Sequence, residues 1–298
     1  MFHKLVMIEP AGLLPETEKA LEQYAETVEK YDTAAQSDEE IIRRLAGADA
    51  VLVCVGTPIS GNVIRHCPDL RYIGMCCSFY QNDSCSVDWR TAHEQGILVT
   101  GVNDYGDEGV PEYVIAEMVM LLHGFHGKPW GGEPLELTGF PVGVIGAGAT
   151  GVRVAKALHY FGADVVYTCR SPKEELNNMG IPYVSMEELL KHSHMICTCI
   201  SKFTVLVHRE QLEQYGHHKI IFNTGLSPSY DTDAMKEWLS HGDNHLFCDS
   251  DMALGDDSLR EMPGVSCPSL FAGKSRQSSM RLSKRVLENL AEAADSCC

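Results

Sequence analysis

The chain has 298 residues, enough for two domains, with 44% hydrophobic residues and a formal net charge of −17. That charge argues against nucleic acid and anionic membrane surfaces as partners, and no apolar run reaches the length of a membrane-spanning helix. The opening residues Met1–Pro10 hold too short an apolar stretch for a signal peptide and no small-residue cleavage site, so a first β-strand in a cytoplasmic protein is expected.

In chain order, the first hundred residues alternate strand and helix. Strands are expected at Lys4–Glu9, Asp49–Val55, Leu70–Cys76 and Ile97–Thr100, and helices at Pro15–Tyr24, Ser37–Leu45, Asn62–His66 and Val87–Gln95. Ser37 followed by Asp38, Glu39 and Glu40 reads as a capped helix start with acids in its first turn. This alternation implies a parallel sheet. Val110–Phe125 is a long, mostly apolar helix, and the Gly/Pro/Trp-rich connector Gly127–Gly139 that follows is the best domain boundary on composition. Beyond it, strands are expected at Val142–Ile145, Ala163–Thr168, Tyr183, Met195–Ile200, Ile220–Thr224 and His245–Asp249. Helices are expected at Met186–Lys191, Arg209–Tyr215, Asp231–Ser240 and Gln277–Ala294.

The most informative stretch is Phe140–Leu158. The buried strand Val142–Ile145 enters Gly146-x-Gly148-x-x-Gly151, and a helix follows with Val152, Val154, Ala155 and Leu158 on its apolar face. Gly146 permits a tight turn, Gly148 lets backbone approach a phosphate, and Gly151 lets the helix pack close to the strand. The helix N-terminus offers free N–H groups to an anion. Between a strand and a helix, with a second strand after it, the pattern reads as a dinucleotide pyrophosphate site formed by Gly146, Ala147, Gly148, Ala149, Thr150 and Gly151. The alternative is a glycine-rich turn that packs well and binds nothing.

Enzymes that select NAD place an acid at the end of the second strand, about 20 residues beyond the glycines. Here that segment is Tyr167-Thr-Cys-Arg-Ser-Pro-Lys173, with no acid before Glu174. Arg170 offers a planar fork for a 2′-phosphate, Ser171 a hydroxyl and Lys173 a second charge. NADP(H) is therefore favoured over NAD(H); the alternative is a solvated basic turn. The ends of later strands add Ile200, Ser201, Thr224, Gly225 and Asp249 as candidate cofactor contacts.

Twelve cysteines form neither CxxC pairs nor zinc-finger spacing. Cys54, Cys197, Cys199 and Cys248 lie in apolar segments and read as buried small hydrophobes, while Cys297 and Cys298 end the chain as exposed thiols. His123 and His126 have i, i+3 spacing but no evident third ligand, and a helix C-terminus favours histidine in any case; no metal is expected.

The order of motifs resembles the D-isomer-specific 2-hydroxyacid dehydrogenase family over most of the chain. The matching pieces are LRYIGM…VDWRTAHEQGILVTGVND, VPEYVIAEMVMLL, LTGFPVGVIGAGATGVRVAKAL, IIFNTGLSPSYDTDAMKEWL and FCDSDM…SLREMPGVSCPSLFAG, with Glu117 on the family's valine-alanine-glutamate signature. The resemblance implies an α/β protein in which a Rossmann-type doubly wound parallel sheet (103–275) is inserted into a second, flavodoxin-like α/β domain. That substrate domain comprises residues 1–102 completed by 276–298, with the active cleft between the two. It also implies a small-molecule 2-oxo or 2-hydroxy acid substrate and a homodimer through Val110–Phe125; the short 127–139 connector would leave any dimer arm reduced.

The family's catalytic residues have no counterparts here. Its arginine follows the Asn-Thr strand end, where this chain has Leu226; its histidine follows a proline, where Pro268 is followed by Ser269; its glutamate has no match in Ser250–Leu254. Reducing a 2-oxo acid needs a cation at the carboxylate and a proton donor for the developing alkoxide. Weak replacements for the acid are Tyr80, Ser269 and Lys274. Cys77, Ser78 and Phe79, in a loop that looks several residues longer than usual, fall where the family's substrate carboxylate meets backbone N–H groups, with Gln81 or Asn82 as an amide clamp. Two readings stay open: an NAD(P)-dependent oxidoreductase with a non-standard substrate and non-standard catalytic residues, or a catalytically inactive NAD(P)-binding sensor or partner-binding protein.

Overall fold

Near-continuous apolar runs form parallel strands buried on both faces. The computed structural model describes every residue except 81–84, 126 and 298, and only the backbone of Cys297. The chain divides into two compact units, 1–105 with 275–298, and 106–274.

The first unit runs β1 (Phe2–Met7), α1 (Pro15–Ala20), β2 (Ala25–Lys30), α2 (Asp38–Arg44), β3 (Ala50–Val53), α3 (Gly61–His66), β4 (Tyr72–Met75), α4 (Trp89–Glu94) and β5 (Leu98–Thr100). Its sheet has the order β2-β1-β3-β4-β5, all parallel. The two-residue period of a strand sorts its apolar side chains between two cores. Val6, Val51, Val53, Ile73 and Met75 face one; Leu5, Met7, Ala50, Leu52 and Tyr72 face the other. That second core is closed by the C-terminal helix Arg276–Cys297, whose Leu282, Val286, Leu290 and Ala293 form one apolar stripe. Ser37 caps α2, its Oγ accepting from Glu40 N at 3.3 Å while the Glu40 carboxylate accepts from Gln36 N at 2.9 Å.

One strand of this sheet is not evident from sequence. β2 reads Ala-Glu-Thr-Val-Glu-Lys, mostly solvent-facing, and is a strand because its backbone pairs with β1 at the sheet edge. Charged residues on an edge strand also block pairing with other chains.

The second unit runs α5 (Gly109–His123), β6 (Pro141–Ile145), α6 (Ala149–Tyr160), β7 (Asp164–Thr168), α7 (Glu174–Asn178), α8 (Met186–His192), β8 (Met195–Thr198), α9 (Arg209–Tyr215), β9 (Ile220–Asn223), α10 (Thr232–Ser240), β10 (His245–Cys248), α11 (Asp251–Leu254) and β11 (Val265–Ser266). The sheet order is β11-β10-β9-β8-β6-β7, again all parallel. Tyr183 adds only a single bridge to Tyr167. From β6 the chain turns one way to β7 and then returns to the other side as β8. This doubly wound reversal leaves a crevice beyond the C-terminal ends of β6 and β8, the usual place for a ligand in such sheets. α5 and α6 cover one face, over Val142, Val144, Cys197, Phe222 and Phe247; α8, α9 and α10 cover the other, over Ile145, Ile196, Ile221 and Leu246.

The 127–139 connector is not a boundary between units. It lies inside the second unit, because Trp130 and Leu137 are buried in the same core as α5 and β6. α5 also stops earlier than expected: His123 is its last residue, and Gly124 takes the left-handed conformation (φ 71°) that ends a helix. His123 stacks on Phe125 at 4.9 Å, and His126 lies outside the described residues. Among cysteines, Cys197 and Cys248 are buried as expected, but Cys54 and Cys199 are only half-buried because each sits just past a strand end. Cys298 and the side chain of Cys297 lie outside the described residues.

Candidate functional site: the glycine loop and the strand ends beside it

Two of the three loop glycines are required by the protein's own packing. Gly146 has φ 94°, and a Cβ there would lie 2.4 Å from the Cys199 carbonyl oxygen and 2.8 Å from Ile200 Cγ2. A Cβ on Gly151 would lie 1.9 Å from the Gly146 carbonyl oxygen. Gly148 differs: a Cβ there would meet no protein atom within 4 Å, and the residue is exposed. It is also the N-cap of α6 and provides no side-chain cap, so the first turn of that helix keeps N–H groups for an anion. An open cradle at Gly148 above an uncapped helix end fits a dinucleotide pyrophosphate. Ala147 is buried beneath the loop and Ala149 begins the helix. The Thr150 hydroxyl instead donates to the Asp107 carboxylate, which Arg153 also approaches at 3.8 Å. Thr150 thus ties the helix to the 106–108 segment.

β7 runs beside β6, and Gly146 N donates to Thr168 O at 2.8 Å, so the turn after β7 adjoins the glycine loop. Arg170 and Ser171 in that turn are exposed. Among the described residues Arg170 makes no hydrogen bond or ion pair. The turn is shaped by Tyr167, whose hydroxyl accepts from Lys173 N at 2.6 Å and donates to Asn177 Oδ1 at 3.0 Å. The backbone of Lys173 is therefore fixed.

On the other side of the crevice, Ile200 packs against Gly146 and Ser201 is exposed. A buried network sets the turn after β9. Thr198 Oγ1 donates to Asn223 Oδ1 at 2.9 Å, and Asn223 Nδ2 donates to Ser227 O at 2.9 Å and Ala253 O at 2.8 Å. Thr224, Gly225 and Leu226 lie between those anchors. Asp249, at the end of β10, is 3% exposed. Its Oδ2 accepts from Ala272 N at 2.8 Å, while burial pushes its carboxyl above the usual carboxylate range. Thr224 Oγ1, Asp249 Oδ1 and the Tyr113 hydroxyl of α5 are buried and make no hydrogen bond among the described residues. Sequence reading named Thr224 and Asp249 but not Tyr113, which on a mostly apolar helix reads as one more core aromatic; its signal is a polar tip one turn from Val110.

Ser269 has φ 59°, is exposed, and donates from Oγ to Asp251 Oδ1 at 2.7 Å. Arg260 Nη2 donates to the same oxygen at 2.5 Å, and its Nη1 to Cys267 O at 2.7 Å. The Ser269 and Arg260 hydrogen bonds hold the Asp251 carboxyl below its ordinary range, so the Ser269 proton is committed to a carboxylate. Leu226 is 39% exposed, and Leu270 and Phe271 are exposed nearby in sequence to Ser269. Lys274 ends this unit on an exposed turn, where its N–H donates to Phe271 O at 2.9 Å.

In the first unit, Cys77 is buried, Ser78 and Phe79 are half-buried and Tyr80 is exposed. Phe79 N donates to Asn103 Oδ1 at 2.8 Å, and Asn103 Nδ2 returns to Phe79 O at 3.2 Å. That amide, expected to meet a substrate carboxylate, is already engaged by a side chain. Gln81 and Asn82 lie outside the described residues. Among the described residues no three His, Cys, Asp or Glu side chains converge as a metal site, and no helix is long and apolar enough to cross a membrane.

Residues 125–262 match the family model of the D-isomer specific 2-hydroxyacid dehydrogenase NAD binding domain. The chain is 29% identical over 230 residues to a hydroxypyruvate reductase of Blautia hydrogenotrophica, covering 70% of each chain. It is 25% identical over 284 residues to a glyoxylate reductase of Korarchaeum cryptofilum, covering 87% of this chain and 83% of that one. In fold it is similar to a D-lactate dehydrogenase of Aquifex aeolicus solved with NAD and lactic acid, with TM-score 0.83 and 21% identity over 99% of this chain and 96% of that one. A Thermus thermophilus protein superposes equally well, with TM-score 0.83 and 24% identity over 98% of this chain and 97% of that one. The glycine loop, the doubly wound sheet and the sequence relatives agree: residues 125–262 carry the NAD binding domain of the D-isomer-specific 2-hydroxyacid dehydrogenase family, and the chain as a whole is similar to that family's members.

Proposed function

We propose that the protein is an oxidoreductase that prefers NADP(H) and acts on a small 2-oxo or 2-hydroxy acid-like compound with non-standard catalytic residues. The observation that carries the cofactor preference is Arg170, exposed and without a partner among the described residues, in an acid-free turn beside the glycine loop. A guanidinium matches a 2′-phosphate through paired charge-assisted hydrogen bonds, whereas NAD(H) would find no acid for its ribose hydroxyls. Ser171 and Lys173 add a hydroxyl and a charge to the same turn. In this reading the 103–275 region holds the cofactor, through Gly146–Gly151, Ile200, Ser201, Thr224, Gly225 and Asp249, and residues 1–102 with 276–298 hold the substrate. The bound nicotinamide supplies or accepts the hydride.

The substrate is taken to be non-standard because Leu226 offers an apolar surface where the family resemblance expects a cation. Ser269 is equally unlike the expected histidine: its proton already belongs to Asp251. The same two residues favour the second reading, a cofactor-binding protein without turnover. Ten described cysteines are free thiols, as suits a cytoplasmic protein. A homodimer through α5 would cover its outward Ala116 and Met120, and light scattering at micromolar concentration tests it: a monomer refutes it.

Fluorescence titration with NADPH and NADH decides the cofactor. Tighter NADPH binding that is lost in Arg170→Ala is expected. Equal affinities, or an NADH preference that survives Arg170→Ala, overturn the reading.

A further inference from the structure

Three buried polar atoms at the C-terminal edge of the second sheet make no hydrogen bond among the described residues: the Tyr113 hydroxyl, Thr224 Oγ1 and Asp249 Oδ1. Thr224 and Asp249 are the first residues past the adjacent parallel strands β9 and β10, each two residues on from a core phenylalanine, Phe222 and Phe247. The Phe222 and Phe247 rings stack at 4.6 Å on the face covered by α5. Tyr113 comes down from α5 and meets the Phe222 ring edge-on at 6.1 Å. Buried polar atoms are ordinarily paired, so such a cluster at the ligand edge of a doubly wound sheet points to a partner of complementary chemistry.

The three atoms define that chemistry. An ionised Asp249 can only accept, so its free Oδ1 calls for an N–H. Tyr113 must donate: burial and the nearby Glu117 and Asp249 push its hydroxyl further above its ordinary range, which keeps its proton. Thr224 can do either. A ligand group with an N–H donor beside a carbonyl acceptor satisfies all of them, and a primary carboxamide is such a group.

We infer that Tyr113 binds the nicotinamide carboxamide, its hydroxyl donating to the carboxamide oxygen while Asp249 takes the carboxamide N–H. The assignment rests on the nicotinamide reading above. It makes Tyr113 a cofactor-binding residue that orients the ring at the end of β9.

The test is Tyr113→Phe, which keeps the ring on Phe222 and removes only the hydroxyl. Affinities are measured for NADPH, for its thionicotinamide analogue, whose sulfur is a poor acceptor, and for 2′-phospho-ADP-ribose, which lacks nicotinamide. Loss of one neutral hydrogen bond weakens NADPH about tenfold. Binding of 2′-phospho-ADP-ribose stays at the wild-type level, which also shows that the variant is folded. The wild type prefers NADPH over the thio analogue, and Tyr113→Phe abolishes that preference. Unchanged NADPH affinity in Tyr113→Phe, or a preference for NADPH over the thio analogue that survives it, overturns the role of Tyr113 while leaving the cofactor reading intact. Wild-type protein that binds 2′-phospho-ADP-ribose as tightly as NADPH overturns the carboxamide socket as a whole. Wild-type protein that binds none of the three overturns both.

Discussion

Gly151 stands so close to Gly146 that a Cβ on it would lie 1.9 Å from the Gly146 carbonyl oxygen, whereas a Cβ on Gly148, between them, would meet no protein atom within 4 Å. The two glycines therefore fail for different reasons. Gly151→Ala forces helix and strand apart and costs about 1–3 kcal/mol of stability. Gly148→Ala leaves the melting temperature within a few degrees of wild type, since its φ of −77° suits any residue. It nevertheless weakens dinucleotide binding at least about tenfold, because the methyl group enters the space a pyrophosphate needs. Thermal unfolding and nicotinamide fluorescence on both variants check this. Full dinucleotide affinity in Gly148→Ala would mean that the cradle binds something else.

The glycine loop was legible in the sequence because its constraints are local: a strand, a tight turn and a helix within about twenty residues. The end of β7 at Thr168 was legible for the same reason. β2 was not, since Glu26, Glu29 and Lys30 hide the strand period and only pairing with β1 makes it extended. Asp251 escaped because a search for a glutamate at one spacing cannot see a carboxylate brought to Ser269 across 18 residues of chain. Tyr113 escaped because its meaning lies in what it lacks, a hydrogen-bond partner, and that is a property of the fold.

Arg170→Asp should invert cofactor choice. The carboxylate would accept from ribose hydroxyls and repel a 2′-phosphate. Loss of a charge-assisted pair is worth roughly 1.5–3 kcal/mol, or about 10- to 100-fold in NADPH affinity. NADH affinity should hold or improve. Parallel loss of both cofactors would show that the turn serves the fold rather than the phosphate.

Asp249 is raised above its ordinary pKa by burial. A group whose folded pKa lies above its unfolded value of 3.8 favours the folded state below that value, and loses this contribution as pH rises through the folded pKa. Wherever this buried carboxyl is ionised, its charge is thus a cost to the cofactor-free protein. Asp249→Asn should stabilise the free protein at pH 7 by on the order of 1 kcal/mol. The gain should disappear below about pH 4, where the wild-type carboxyl is protonated. The same change should weaken NADPH. Melting curves across pH, with and without NADPH, decide it: a gain that persists at acid pH contradicts the account.

The last expectation concerns turnover. Leu226 cannot hold a substrate carboxylate, and the Ser269 proton is given to Asp251 at 2.7 Å. Without an oriented proton donor a carbonyl reduction typically slows by about 10²–10⁴-fold. Without electrostatic stabilisation of the developing alkoxide it slows by about 10²–10³-fold. The two losses need not multiply, since residues that act as a unit are not independent. Even the smaller loss would place glyoxylate, pyruvate and hydroxypyruvate far below the median enzyme rate of about 10 per second. Initial rates for these acids with NADPH and NADH give the measurement. Leu226→Arg combined with Ser269→His restores a cation and an acid of the right kind, and should raise the rate for glyoxylate well above wild type. Robust wild-type turnover of any of the three would mean that another side chain supplies the proton. Tyr80→Phe and Lys274→Ala then identify it, because only the variant that removes the donor abolishes the rate without changing NADPH affinity.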